Sequence, residues 1–114
     1  MRRGEIYTAA ARGAYIGKPR PVAIVQDDRF DATASVTVCP MTASPIEAPL
    51  IRIDVQPSAL NGLDRLSFLM VDKVTTMQRS NLQDHLGRLS EQDLVQLNRS
   101  LLVFFGLADS GPRP

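Results

Sequence analysis

The sequence predicts an α+β fold: a small, strongly curled, barrel-like antiparallel sheet followed by one long C-terminal helix. Three observations carry that expectation. The first two-thirds of the chain is a series of short, β-branched apolar runs separated by turn residues. From residue 90 onward the apolar spacing switches to a helical period. A length of 114 residues suits one domain with one core. Residues 1–107 are expected to form that domain and residues 108–114 a flexible tail.

The elements follow in order. Gly4–Ala9 (GEIYTA) reads as a short opening strand. Arg20–Gln26 (RPVAIVQ) is apolar and flanked by prolines, so a buried strand is expected from about Pro21. After the polar turn Asp27–Ala32, the segment Ala34–Met41 alternates Val36, Val38 and Pro40 against Ser35, Thr37 and Cys39. The prolines of SPIEAP break the chain again. Pro49–Val55 sets Ile51, Ile53 and Val55 against Arg52 and Asp54, one face buried and one wet. PSALNGL contains Asn61-Gly62, a strong turn signal. Leu66–Val71 is a further apolar strand that could run on through Val74, and Arg79–Gln83 is a candidate for a single helical turn. Ser90-Glu91-Gln92-Asp93 is close to a capping box. Leu94, Leu97, Leu101 and Phe104 or Phe105 then recur at helical spacing. This predicts a helix from about Glu91 to Phe105, stopped by Gly106, with its apolar stripe in the core.

Composition narrows the function classes. Hydrophobic residues make up 44% and charged residues 22% of the chain, and no apolar run is long enough to span a bilayer. The start MRRGEIY has no apolar h-region, so no secretory signal is expected. The single cysteine, Cys39, excludes an intrachain disulfide, fits a reducing cytoplasm and suits a small buried group. Cys39 and the only histidine, His85, are far apart, and no acid cluster has metal-ligand spacing, so neither a metal site nor a cofactor is expected. The net charge of +1 conceals an asymmetry: residues 1–26 carry five bases and one acid, the remainder eight bases and eleven acids. The basic third is either solvated surface or an anion-binding face.

The stretch YIGKPRPVAIVQ sharpens this. Pro21 drives Arg20 into an extended conformation, and Pro19 does the same to Lys18. A guanidinium fixed in this way suits a phosphate or a carboxylate; an ion pair with Asp27 or a neighbouring acid is the alternative. In CPMTAS, the hydroxyls of Thr42 and Ser44 stand at a strand end. There they can bind a ligand anion or make turn bonds to their own backbone. The loop Arg12–Lys18 offers Tyr15 for base stacking and Arg12 and Lys18 for phosphate, or is a plain surface loop. His85 reads as a surface residue.

Taken together, RGEIY (3–7), GKPRPVAIVQ (17–26), VTVCPMTAS (36–44), NGLDRLSFLMVDKVTT (61–76) and LGRLSEQDLVQLNRSLLVFFGL (86–107) resemble the MazF/PemK family of toxin endoribonucleases. The order and spacing hold from Arg3 to Leu107. The resemblance implies an SH3-like barrel of the CcdB/PemK type, a homodimer without membrane attachment, cleavage of single-stranded RNA, and neutralisation by a cognate antitoxin. Carried over residue by residue, Arg20 and Thr42 would meet at one active site. Metal-independent attack of the 2′-hydroxyl on its own phosphate would then need charge stabilisation from Arg20 and orientation by Thr42. Tyr15, Lys18 and Ser44 would contact the RNA. The rival reading is a non-catalytic CcdB-like gyrase poison of the same fold; the lack of tryptophan and the presence of both Arg20 and Thr42 count against it. One segment departs from the family's acid-Gln-hydrophobic-basic pattern: it reads Asp72-Lys73-Val74-Thr75, which puts sequence preference in question.

Overall fold

A computed structural model describes residues 1–10 and 18–108. Among these, seven strands are formed: β1 (Glu5–Ala9), β2 (Arg20–Ile24), β3 (Ser35–Thr42), β4 (Arg52–Val55), β5 (Ser67–Met70), β6 (Thr75–Gln78) and β7 (Leu82–Arg88). The helix α1 (Glu91–Phe104) follows. All pairings are antiparallel, the strand order is β4-β5-β3-β2-β1-β7, β6 also pairs with β3, and the sheet is not closed. This is the expected curled antiparallel sheet with one C-terminal helix.

Strand β3 organises the sheet. One edge pairs with β2; the other pairs with β6 through Ser35–Val38 and with β5 through Met41 and Thr42. Pro40 falls in the gap between those two pairings, where its missing N–H breaks no ladder. Alternation along the strands then builds two apolar clusters on opposite faces. Ile6, Ala23, Cys39 and Met41 join Leu69, Val71, Leu89 and Leu97 in the main core, with Leu94 and Leu101 of α1 packed against it. Ala9, Val22, Ile24, Val36 and Val38 form the second cluster, flanked by Tyr7, Met77 and Leu82.

Local chemistry explains the boundaries. The Ser90 side chain accepts the Asp93 N–H and starts α1. Gly106, at φ +72°, ends it. Strand β2 stops at Ile24, two residues short of the expected Gln26, because the Gln26 side chain leaves the ladder and accepts the Thr37 N–H. Strand β4 begins only at Arg52, since Ile51 and Arg52 both donate to the Ala48 carbonyl in a turn. The expected run through Val74 is broken by a 3-10 turn at Val71–Lys73, and another at Arg79–Asn81 matches the expected single turn. Strands β6 and β7 had no counterpart in the sequence reading.

Candidate active site

The β2–β3 register pairs Ile24 with Val38, Ala23 with Cys39 and Val22 with Pro40. Continued by two residues, it sets Arg20 opposite Thr42. Arg20 opens β2 against Ala9 of β1, and Thr42 closes β3 against Phe68 of β5. Both residues line one groove of about 420 Å³, together with Lys18, Pro19 and Pro21. The prolines therefore do what the sequence suggested: they present a cation at the sheet's end on a stiff backbone. Asp27, the acid considered as an ion-pair partner for Arg20, is engaged by Arg29 at 3.1 Å, and the Arg29 backbone N–H holds its carboxyl below the usual range.

Thr42 makes the turn bond that was one of the two roles open to it. Its Oγ1 accepts the Ser44 N–H at 3.2 Å, a turn bond that occupies one lone pair and leaves the hydroxyl hydrogen able to donate. Ser44 contributes that backbone group and stands outside the groove lining. Tyr15 and Arg12 lie outside the described residues.

The opposite wall is the segment Gly62–Arg65, with Thr8 and Leu86 beside it. Its placement depends on two glycines. Gly62 has φ +69°, and a Cβ there would lie 2.0 Å from the Leu86 carbonyl oxygen; a Cβ on Gly87 would lie 2.2 Å from the Leu60 carbonyl oxygen. The loop thus lies backbone-to-backbone against β7, where Arg88 N–H donates to Leu60 O at 3.0 Å. Buried Asn61 locks it from within: its Oδ1 accepts the N–H groups of Ser58 and Leu63, and its Nδ2 donates to Gln56 O. This wall carries Asp64 and Arg65, an exposed pair 3.6 Å apart, which the sequence reading left unassigned. The Asn-Gly turn next to Asp-Arg was the available signal.

Arg20 also borders a second cavity, of about 460 Å³, on the other side of the strand ends. Its floor is apolar, with Val22, Pro40, Met70 and Met77, and its rim carries Lys73, Thr75, Thr76 and Asn81. The segment that departs from the family pattern is therefore adjacent to the site. A larger cavity, about 800 Å³ between β4 and the start of α1, is lined by Asp54, Glu91 and Asp93. Its acids repel a phosphate, so the smaller groove is the better candidate.

His85 lines none of these three cavities. It is exposed as expected and stacks on Tyr7 with ring centroids 4.8 Å apart, its Nε2 3.3 Å from Glu5 Oε2. Burial first, and then Glu5, pushes the Tyr7 hydroxyl pKa up. Cys39 is fully buried in the main core, and burial pushes its thiol up to about 12.

Comparison with known proteins matches residues 2–105 to the family model described as PemK-like, MazF-like toxin of type II toxin–antitoxin system. A probable endoribonuclease MazF of Mycolicibacterium smegmatis is 64% identical over 108 residues, covering 95% of this chain and 99% of that protein. Endoribonuclease MazF9 of Mycobacterium tuberculosis is 28% identical over 116 residues, covering 94% and 98%. Among solved structures, a mycobacterial endoribonuclease in complex with its cognate antitoxin superposes with a TM-score of 0.77 at 24% identity, covering 100% of this chain and 99% of that one. A MazE–MazF complex of Deinococcus radiodurans gives 0.73 at 16% identity, covering 95% and 98%. At these identities the structures speak to the fold.

Proposed function

The chain belongs to the PemK-like, MazF-like toxins of type II toxin–antitoxin systems, and from that premise we propose how it acts as a toxin endoribonuclease. The substrate is single-stranded RNA, bound along the groove that Arg20 and Thr42 share. The observation that carries this reading is the juxtaposition of those two residues at facing strand ends.

The chemistry uses the RNA's own nucleophile. The 2′-oxygen attacks the adjacent phosphorus and loses its proton; the bond from phosphorus to the 5′-oxygen breaks, and that oxygen takes up a proton. The products are a 2′,3′-cyclic phosphate and a 5′-hydroxyl, and the step needs no metal ion. Arg20 binds the non-bridging oxygens and stabilises the charge that grows on them; a guanidinium is too weak an acid to serve mainly as proton donor. Thr42 donates from its hydroxyl to orient the phosphate. Lys18 adds positive charge at the groove mouth. Tyr15, three positions earlier in the sequence, supplies a stacking surface, and Ser44 shapes the turn that holds Thr42.

The protein works in the cytoplasm as a homodimer, and a cognate antitoxin neutralises it by occupying the same groove. Among the described residues no helix is long and apolar enough to cross a membrane. Exposed Leu102, Phe104, Phe105 and Leu107 support an assembly larger than one chain. The gyrase-poison reading finds no support in the family match or in the relatives named as endoribonucleases.

The test is incubation with single-stranded RNA in excess EDTA. Cleavage leaving cyclic phosphate ends is expected, and an RNA with a 2′-deoxy sugar at the cut position should survive. Cutting of that deoxy substrate would overturn the mechanism. Light scattering should show a dimer at micromolar concentration.

A further inference from the structure

We propose, building on the RNA-cleaving role assigned above to Arg20 and Thr42, that His85 is a positioning residue for that reaction. From outside the groove its side chain braces a β-bulge at Leu86, and the bulge seats the wall that faces Arg20.

The strand register places the bulge. Strands β1 and β7 pair Ile6 with Gly87 but Tyr7 with His85, so Leu86 is an extra residue on β7. A second step follows before Ala9 meets Leu82, and there the Thr8 hydroxyl accepts the Asp84 N–H at 3.0 Å. Thr8 and Leu86 both line the groove. Bulges are frequent beside active sites, where they re-aim a side chain.

His85 holds the Leu86 step from the side. Its Nε2 lies 3.0 Å from the Gly87 carbonyl oxygen and 3.3 Å from Glu5 Oε2. A carbonyl can only accept, so Nε2 carries the hydrogen and donates. The bond joins the two residues that flank Leu86. The imidazole also stacks on Tyr7, 4.8 Å between centroids at 24°. Glu5 is itself anchored, since its Oε1 accepts the Arg2 N–H. In an unbroken ladder Leu86 would stand opposite Tyr7, and both the stack and the Gly87 bond would be lost. Such a one-residue slip turns side chains to the other face of a sheet, which would take Leu86 out of the groove.

The wall rests on this bulge. A Cβ on Gly62 would lie 2.0 Å from the Leu86 carbonyl oxygen, and one on Gly87 2.2 Å from the Leu60 carbonyl oxygen. One residue further on, the Arg88 N–H donates to Leu60 O at 3.0 Å. A shift of the bulge therefore passes to Gly62–Arg65 through backbone contact, with no flexible side chain between to absorb it. Displacement of about 1 Å around a reacting phosphate is enough to lower a rate up to about 10²-fold.

The experiment separates the hydrogen bond from the stack. His85→Phe keeps an aromatic ring on Tyr7 and loses the donor; His85→Gln loses the ring and keeps an N–H at the reach of Nε2. Both change a half-exposed side chain, and thermal unfolding checks that both variants fold. With single-stranded RNA as substrate, His85→Phe should lower kcat/KM at least about tenfold, and His85→Gln should recover it to within about threefold of wild type. A residue that merely packs would give the reverse order, because the ring contributes more contact than the amide. A second measurement needs no cleavage. Amide hydrogen exchange at Arg88, whose N–H ties β7 to the wall, should speed up at least about tenfold in His85→Phe and stay near wild type in His85→Gln. Wild-type cleavage by His85→Phe overturns the inference, as does a loss in His85→Gln as large as in His85→Phe, or Arg88 exchange unchanged by His85→Phe. Single-stranded RNA left intact by the wild-type protein would be a different failure, that of the proposed activity; exchange would still read the brace, and its role in cleavage would fall.

Discussion

Arg52 of β4 reaches across to Asp72, in the 3-10 turn between β5 and β6, and its Nη1 donates to Asp72 Oδ1. The arginine side chain is 9% exposed and the aspartate 25%. Arg52 Nε is buried with no hydrogen-bond partner, so the charge depends heavily on this one carboxylate. The pair fixes the turn that leads into Lys73 and Thr75.

Removing one member of such a pair leaves a buried charge. Asp72→Ala should therefore cost about 3–5 kcal/mol of stability, read from the urea midpoint. Arg52→Met combined with Asp72→Ala should recover most of that loss, since no charge is then stranded. A double variant as unstable as the single one would mean that the turn itself, and not the charge, was lost.

Arg20→Ala should lower RNA cleavage by about 10²–10³ or more, the usual consequence of deleting one preorganised charge-stabilising donor. The residue is exposed at the start of β2, so thermal unfolding should change little. Arg20→Lys keeps the charge and loses the planar fork, and should fall between wild type and Arg20→Ala. Thr42→Ala should act in the same direction but less severely, because a neutral hydroxyl contributes less than a charge-assisted bond.

Gly62→Ala should lose both stability and cleavage. The left-handed backbone alone costs about 1–2 kcal/mol for a residue with a side chain, and the clash with the Leu86 carbonyl adds to it. The wall bearing Asp64 and Arg65 must then move away from β7. Gly106→Ala has a similar φ and nothing within 4 Å of the added Cβ, so it provides the control: a stability loss of the backbone size, with cleavage intact.

Cys39 should resist iodoacetamide at pH 8 while the protein is folded and react on unfolding. Its folded pKa is raised to about 12 from an ordinary 9.0. Below pH 9 neither state ionises, and the full stability is present. Between pH 9 and 12 the unfolded chain loses the thiol proton and the folded one keeps it, so stability falls through that window. A Cys39→Ala variant should show a shallower alkaline decline than wild type in denaturant melts.

The elements legible in the sequence are those whose own residues alternate or recur. Strands β1 to β5 carry buried apolar residues, and α1 carries Leu94, Leu97 and Leu101 with a cap at Ser90. Strands β6 (TTMQ) and β7 (LQDHLGR) contain no fully buried residue. They are strands because β3 and β1 offer them open edges, and that information lies elsewhere in the chain. The site divides along the same line. Prolines around Arg20 and a strand end at Thr42 mark one wall in the local sequence. The Gly62–Arg65 wall is placed by backbone contact with β7, so it was as hidden as β7 itself.

The two-residue gap on β3 between its partners β6 and β5 bears on solubility. An unpaired stretch of strand edge invites a strand from another molecule to dock, which is how sheets begin to polymerise. Here the vacancy spans only Cys39 and Pro40. It is too short to hold a ladder, proline presents no donor, and the turn at Val71–Lys73 packs against β3. The discontinuity that lets one strand serve two partners thereby offers an incoming strand from another molecule no ladder to join.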